Sequence, residues 1–218
     1  MIKLRKSDEP TVLQANAARW LQELEDAIAI DDKKLIKSRK NRYNHPEIKA
    51  AVKLETHGKC AFCECDVTAV SHGDIEHLFP KSLEIKKTFE WSNLGYSCQI
   101  CNQSKSDRDP NFERIIDPYI SDPEQFIFFY GAFINSNGTV EGRQTIHHLK
   151  LDRVEVFERR QNVIRSLIKS IEMIQSATTS IERQILIEDF ESNELGPELE
   201  FSAMRRDFWR AYRPNIIE

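Results

Sequence analysis

The reading of this chain turns on Lys59-Cys60-Ala61-Phe62-Cys63-Glu64, continued by Asp74-Ile75-Glu76-His77-Leu78-Phe79-Pro80-Lys81 and closed by Cys98-Gln99-Ile100-Cys101-Asn102, with Lys105 beyond. Each Cys-x-x-Cys is a tight turn able to aim two thiolates at one ion. Two such turns complete the closed tetrahedral shell of structural zinc, so Cys60, Cys63, Cys98 and Cys101 are expected to hold Zn²⁺. Cys65 is left over: it competes with Cys63 or stays a free thiol, and the free thiol is preferred because Cys-x-Cys closes a tighter chelate. A redox role for either pair fits poorly, since no βαβ pattern surrounds them. The ion would close a loop that contains a histidine able to act as a base and carboxylates able to hold a hard cation.

Outward from this stretch, Asp74 to Leu78 reads as a short strand and Pro80 to Lys87 as an irregular loop. Tyr96 to Cys98 reads as a second strand, with a short helix opening at Asn102. Upstream, Leu13, Ala17, Trp20, Leu21, Leu24 and Ile28 recur at the helical period, predicting a helix from Pro10 to about Ile30. Asn44-His45-Pro46 opens another through about Thr56, which Gly58 is placed to end. His45 and His57 flank it as capping or surface histidines. Downstream, Phe126 to Tyr130 and a turn at Asn135-Ser136-Asn137-Gly138 predict a hairpin. His147-His148 with Leu149 to Arg153 reads as the start of a helix. The remainder is helical, with a break near Thr178-Thr179, a stop at Gly196-Pro197 and a last helix around Met204 to Tyr212. The expectation is an α+β, mostly helical fold: a helical segment over 1–57, a zinc-bound core over 58–112, and a small sheet followed by helices over 113–218, forming one compact unit.

The bulk properties narrow the class. The 218 residues suffice for a core without disulfide staples. No apolar run is long enough to cross a bilayer, and Met1 to Lys6 lacks an apolar signal segment. With five cysteines, four of them in paired turns, a reducing compartment is expected, and the cytoplasm is the expected location. The net charge of −4 means that any affinity for nucleic acid must come from local patches. The densest is Lys33, Lys34, Lys37, Arg39, Lys40 and Arg42, read as a solvated helix end or loop. A second set, Lys81, Lys86, Lys87, Lys105 and Arg108, surrounds the loop held by the cysteines.

From Cys60 to Lys105 the chain resembles the HNH nucleases. The matching pieces are the two Cys-x-x-Cys turns, Glu76-His77 with Pro80, Trp91-x-Asn93-Leu94, and Cys101-Asn102 with Lys105. The resemblance implies a ββα-metal core in which His77 is the general base and Asn93 braces the loop. It also implies that Glu76 and Asn102 hold a catalytic Mg²⁺ or Mn²⁺. Asn102 stands where the family usually has histidine, and Glu76 where aspartate is commoner. Because Glu76 and His77 point to opposite faces of a regular strand, both serve one site only if the strand ends or bulges there. Asp74, on the face of Glu76, is a reserve ligand or merely a carboxylate at the strand entry. Lys81 and Lys105 are candidates for contacting nucleic-acid phosphates, or else solvated lysines. His72, in Ser71-His72-Gly73-Asp74, reads as part of a turn.

Met1 to Leu4 with Glu9-Pro10, Asp117-Pro118-Tyr119 with Asp122-Pro123-Glu124, and Thr145-Ile146 with Leu149 to Arg153 extend the match to about Arg160. With the cysteine core they carry a narrower resemblance, to the PtuB-like HNH proteins of Septu antiphage systems and retron-associated nucleases. It implies a defence nuclease acting on nucleic acid, DNA first, with a PtuA-like ABC-type ATPase as partner and no membrane. The alternative is a zinc module that binds nucleic acid or protein without cutting.

Overall fold

Helix α1 (Thr11–Ala29), α2 (Lys33–Lys40) and α3 (Pro46–Glu55) precede the cysteine-bearing stretch in this computed structural model, which describes residues 1–68 and 72–213. Pro10 and Pro46 start α1 and α3 as the sequence predicts, and His45 Nδ1 caps α3 by accepting from Glu47 N at 3.3 Å. The basic run is a formed helix. Asp32 caps it, its Oδ1 accepting from Leu35 N at 2.9 Å.

Two strands, β1 (Asp74–His77) and β2 (Leu94–Ser97), pair antiparallel with Glu76 opposite Gly95 and His77 opposite Leu94. Gly73 sets the entry to β1. Its φ of +61° favours glycine, and a Cβ there would lie 2.4 Å from the Tyr96 ring. Ser71, part of the turn expected before β1, lies outside the described residues. β2 begins and ends earlier than the sequence suggests, because α4 (Gln99–Lys105) starts inside the second Cys-x-x-Cys. Cys98 is the N-cap and its Sγ accepts from Cys101 N at 3.5 Å, so the metal-binding turn is also the first turn of the helix.

After α5 (Pro110–Glu113) come β3 (Phe128–Tyr130) and β4 (Phe133–Asn135), a two-stranded hairpin. Its turn is Gly131-Ala132, with Gly131 at φ +57°, not the expected Asn135–Gly138. A two-residue loop with glycine first suits the twist of paired strands. Asn137 and Gly138 do turn the chain, both at positive φ, but they lead into α6 (Val140–Leu149), capped by Thr139. His147 and His148 therefore end α6 rather than open a helix, and Lys150 terminates it in the left-handed conformation. α7 (Val154–Ser176), α8 (Ser180–Glu194) and α9 (Ser202–Tyr212) follow, broken near Thr179 as expected.

One buried apolar cluster draws on residues from Met1 to Met204 and includes Cys60, Cys63 and Cys101. A second joins α7, α8 and α9 through Leu167, Ile171, Phe190 and Trp209. The described residues thus form a mostly helical α+β architecture with two small antiparallel sheets. No helix among the described residues is long and apolar enough to cross a membrane.

Candidate functional site

The first cysteine turn is held from three sides. Ala61 N donates to Tyr96 O at 2.9 Å, Cys60 N donates to Cys65 O at 2.9 Å, and Phe201 N donates to Glu64 O at 3.3 Å. This fixes Cys60 and Cys63 against the turn that carries Cys98 and Cys101. All four Sγ atoms lie within 4.8 Å of one another, and the Cys63 and Cys98 sulfurs are 3.9 Å apart. Tetrahedral zinc with Zn–S bonds of about 2.3 Å sets its sulfurs roughly 3.8 Å apart, so the donors fit zinc. The cluster of ligand atoms leaves Cys65 out. Arg153 completes the surroundings: its guanidinium nitrogens lie 3.7 Å from Cys101 Sγ and 3.9 Å from Cys98 Sγ. That positive charge offsets the excess negative charge of four thiolates on one divalent ion. Arg153 stands 52 residues beyond Cys101, too far along the chain for spacing to place it at the sulfurs.

Immediately beyond, β1 stops at His77, and both Glu76 and His77 line one cleft of about 420 Å³ with Asn102, Lys81, Lys40 and Tyr43. The strand end permits what a regular strand forbids. His77 is only 4% exposed. Its Nε2 lies 3.0 Å from Thr88 O, and because a carbonyl only accepts, Nε2 must carry the proton. Nδ1 is then the free base nitrogen, and Lys81 Nζ sits 3.2 Å from it. The Tyr43 ring packs edge-on against the imidazole, with centroids 4.5 Å apart. Burial, then the Lys81 charge, pushes the His77 pKa down to about 3, so the ring is neutral at neutral pH.

Asn93 braces the loop behind the histidine. Its Oδ1 accepts from Phe79 N at 2.7 Å, and its Nδ2 donates to Phe79 O at 2.9 Å and Lys87 O at 3.0 Å. Both hydrogens and the oxygen are therefore used to pin residues 79 and 87, between which Lys81 is presented.

The acidic side of the cleft differs from expectation at Lys105. This residue is 1% exposed; its ammonium meets Glu76 Oε1 at 2.9 Å and donates to His77 O at 2.8 Å. It is an internal counter-charge rather than a lysine facing solvent. Burial raises the Glu76 pKa, an effect that Lys105 opposes. Asn102 Nδ2 donates to Asp74 Oδ2 at 3.0 Å, which leaves its amide oxygen able to face a cation. His72 is exposed and stays out of the cleft; its carbonyl accepts from Tyr96 OH at 3.2 Å. His148 contacts Glu113 at 2.9 Å and is not among the residues that line the cleft. Glu76, Asn102 and Asp74 form no closed cage, but Mg²⁺ is commonly held by one or two carboxylates with water and substrate phosphate completing its shell. Of the three, Glu76 and Asn102 line the cleft, and Asp74 reaches it through Asn102 Nδ2.

No protein-family model matches the chain. It is similar to Septu protein PtuB of Bacillus thuringiensis, 26% identical over 187 residues, covering 83% of this chain and 68% of that protein. Septu protein PtuB of Bacillus mycoides (strain KBAB4) is also 26% identical, over 235 residues, covering 92% of this chain and 79% of that protein.

Proposed function

We propose that this chain, a distant homologue of Septu protein PtuB, is an HNH endonuclease that hydrolyses phosphodiester bonds, of DNA first, in antiphage defence. The observation that carries the reading is a buried His77 that shares one cleft with Glu76 and Asn102, its Nε2 held by Thr88 O and its unprotonated Nδ1 facing only the mobile end of Lys81. In this reading β1, β2 and α4 are the ββα-metal unit, and the four cysteines hold structural zinc that ties its ends together.

His77 Nδ1 takes a proton from water as the water oxygen attacks phosphorus and the bond to the 3′ oxygen breaks. Lys81 covers Nδ1 in the free protein, and an entering phosphate draws its ammonium away to pair with the anion. Thr88 O holds Nε2–H, so the ring keeps the correct tautomer while Nδ1 works. Asn93 keeps the loop, and with it Lys81, in place. Glu76 and Asn102, with Asp74 in reserve, would hold a Mg²⁺ or Mn²⁺. When bound, such an ion supplies positive charge to the phosphate and the departing oxygen. Lys105 pairs with Glu76 in its buried position and opposes the upward push of burial on its pKa.

The PtuB likeness also supports a partner from the same defence system, proposed here as an ABC-type ATPase that gates cleavage. A second reading, a zinc module that binds nucleic acid or protein without cutting, is favoured by one fact: both Glu76 and His77 already have lysine partners. Plasmid cleavage separates them. Wild type with Mg²⁺ or Mn²⁺, alone or with any co-encoded ATPase, is expected to cut; His77→Ala, folded and zinc-loaded, and any sample in EDTA are expected not to. Equal cutting by His77→Ala, or none by wild type in any combination, would overturn the assignment.

A further inference from the structure

Helix α2 offers a row of lysines that the cleft chemistry does not use. Lys34, Lys37 and Lys40 recur every three residues and fall on one side of the helix. The arginines of the same segment are engaged elsewhere: Arg39 and Arg42 meet Glu23 of α1 at 3.4 and 2.8 Å. The three lysines make no ion pair among the described residues, and Lys34 and Lys37 are exposed. Against them lies a groove of about 530 Å³, also lined by Ser38, Asn41, Tyr43 and Lys81, with no carboxylate in its lining. Lys40, Tyr43 and Lys81 belong both to this groove and to the His77 cleft. The two spaces therefore border one another. After burial, Lys40 is the main influence lowering the pKa of Lys81, as expected of positive charges crowded without an anion between them.

The spacing selects the ligand. Lys34 to Lys40 spans six residues, or about 9 Å of helix axis, which suits a line of anions better than a single phosphate group. Lysines are point charges, and the groove contributes only short polar side chains beside them, so it reads charge without reading bases. We propose that Lys34, Lys37 and Lys40 form a rail for the phosphodiester backbone of a nucleic acid, leading one strand past Lys81 to His77. The proposal rests on the nuclease reading of the cleft and supplies a route to it in a chain whose net charge is −4.

The test measures binding without cutting. Fluorescence anisotropy with labelled DNA duplex, single-stranded DNA and RNA duplex of one arbitrary sequence is followed in EDTA from 50 to 200 mM salt. The proteins are wild type, Lys34→Gln/Lys37→Gln, the same with Lys40→Gln, and a charge-matched control with Lys150→Gln, Arg165→Gln and Lys169→Gln. Circular dichroism and zinc content confirm that each is folded, and the double variant changes only exposed side chains. With all three lysine charges removed, the slope of log affinity against log salt on duplex DNA is expected to become shallower by about 2 to 3, and by about 2 on a single strand. The double variant should lose about two thirds of that, and the control less than one unit. Unchanged slopes in the α2 variants, or no binding by wild type at 50 mM salt, would overturn the rail. Cleavage by wild type with unchanged α2 slopes sinks the rail and leaves His77 standing; altered slopes without cleavage do the reverse.

Discussion

Lys81 Nζ lies 3.2 Å from His77 Nδ1, placing a cation on the nitrogen that the tautomer leaves unprotonated. After burial, the Lys81 charge is the largest cause of the depressed His77 pKa of about 3. In Lys81→Gln the His77 titration should therefore move up toward 6.5, read by the pH dependence of its ring proton resonances. An identical titration in the variant would show that Lys81 is not coupled to the ring.

The same shift predicts how stability depends on pH. The folded pKa lies below the unfolded value of about 6.5, so the unfolded chain binds the proton first. His77 therefore costs no stability above about pH 6.5 and an increasing amount as pH falls toward 3, with a limiting slope of about 1.4 kcal/mol per pH unit. Urea unfolding of wild type and His77→Asn at pH 7 and pH 5 isolates this contribution, and the gap between them should change in favour of the variant at pH 5.

Lys105→Met leaves the Glu76 carboxylate buried and unpaired, and should cost about 3–5 kcal/mol in chemical denaturation. Adding Glu76→Gln removes the stranded charge and should restore much of that loss. If the single variant is as stable as wild type, the Lys105–Glu76 pair does not exist in solution.

Zinc content should be one ion per chain by elemental analysis, and Cys101→Ser should abolish both the ion and the folded core. Arg153→Ala is milder: it removes the charge beside Cys98 and Cys101 without removing a ligand. Zinc transfer to a chromogenic chelator should then be about tenfold faster. A rate equal to wild type would mean that the guanidinium does not stabilise the thiolates.

Asn93→Ala removes three hydrogen bonds that pin Phe79 and Lys87. The expected loss is about 2 kcal/mol or more, since buried backbone groups are left unsatisfied. Hydrogen exchange should rise at Phe79, while zinc stays bound. Cleavage should fall as well, because the loop that presents Lys81 is no longer pinned.

Legibility in the sequence tracked the distance over which each feature is determined. The cysteine turns were readable because covalent spacing limits where the thiols can point, whereas Glu76-His77 and Asn93 were singled out by the resemblance to HNH nucleases. The start of α4 and the hairpin turn were misplaced by a few residues. Cys98 doubles as a helix cap, and the Asn-x-Asn-Gly signal marks a turn without saying which elements it joins.

The sequence by itself determined that four thiols meet, because two short chelating turns can satisfy one ion in few other ways, and that a histidine and carboxylates lie in the loop between them. Only the tertiary structure decided which His77 nitrogen is free, through a carbonyl 11 residues away at Thr88. It also decided that Lys105 is buried on Glu76, that Arg153 faces the sulfurs, and that α2 borders the cleft. Those relationships depend on packing between segments distant in the chain, which residue spacing does not encode.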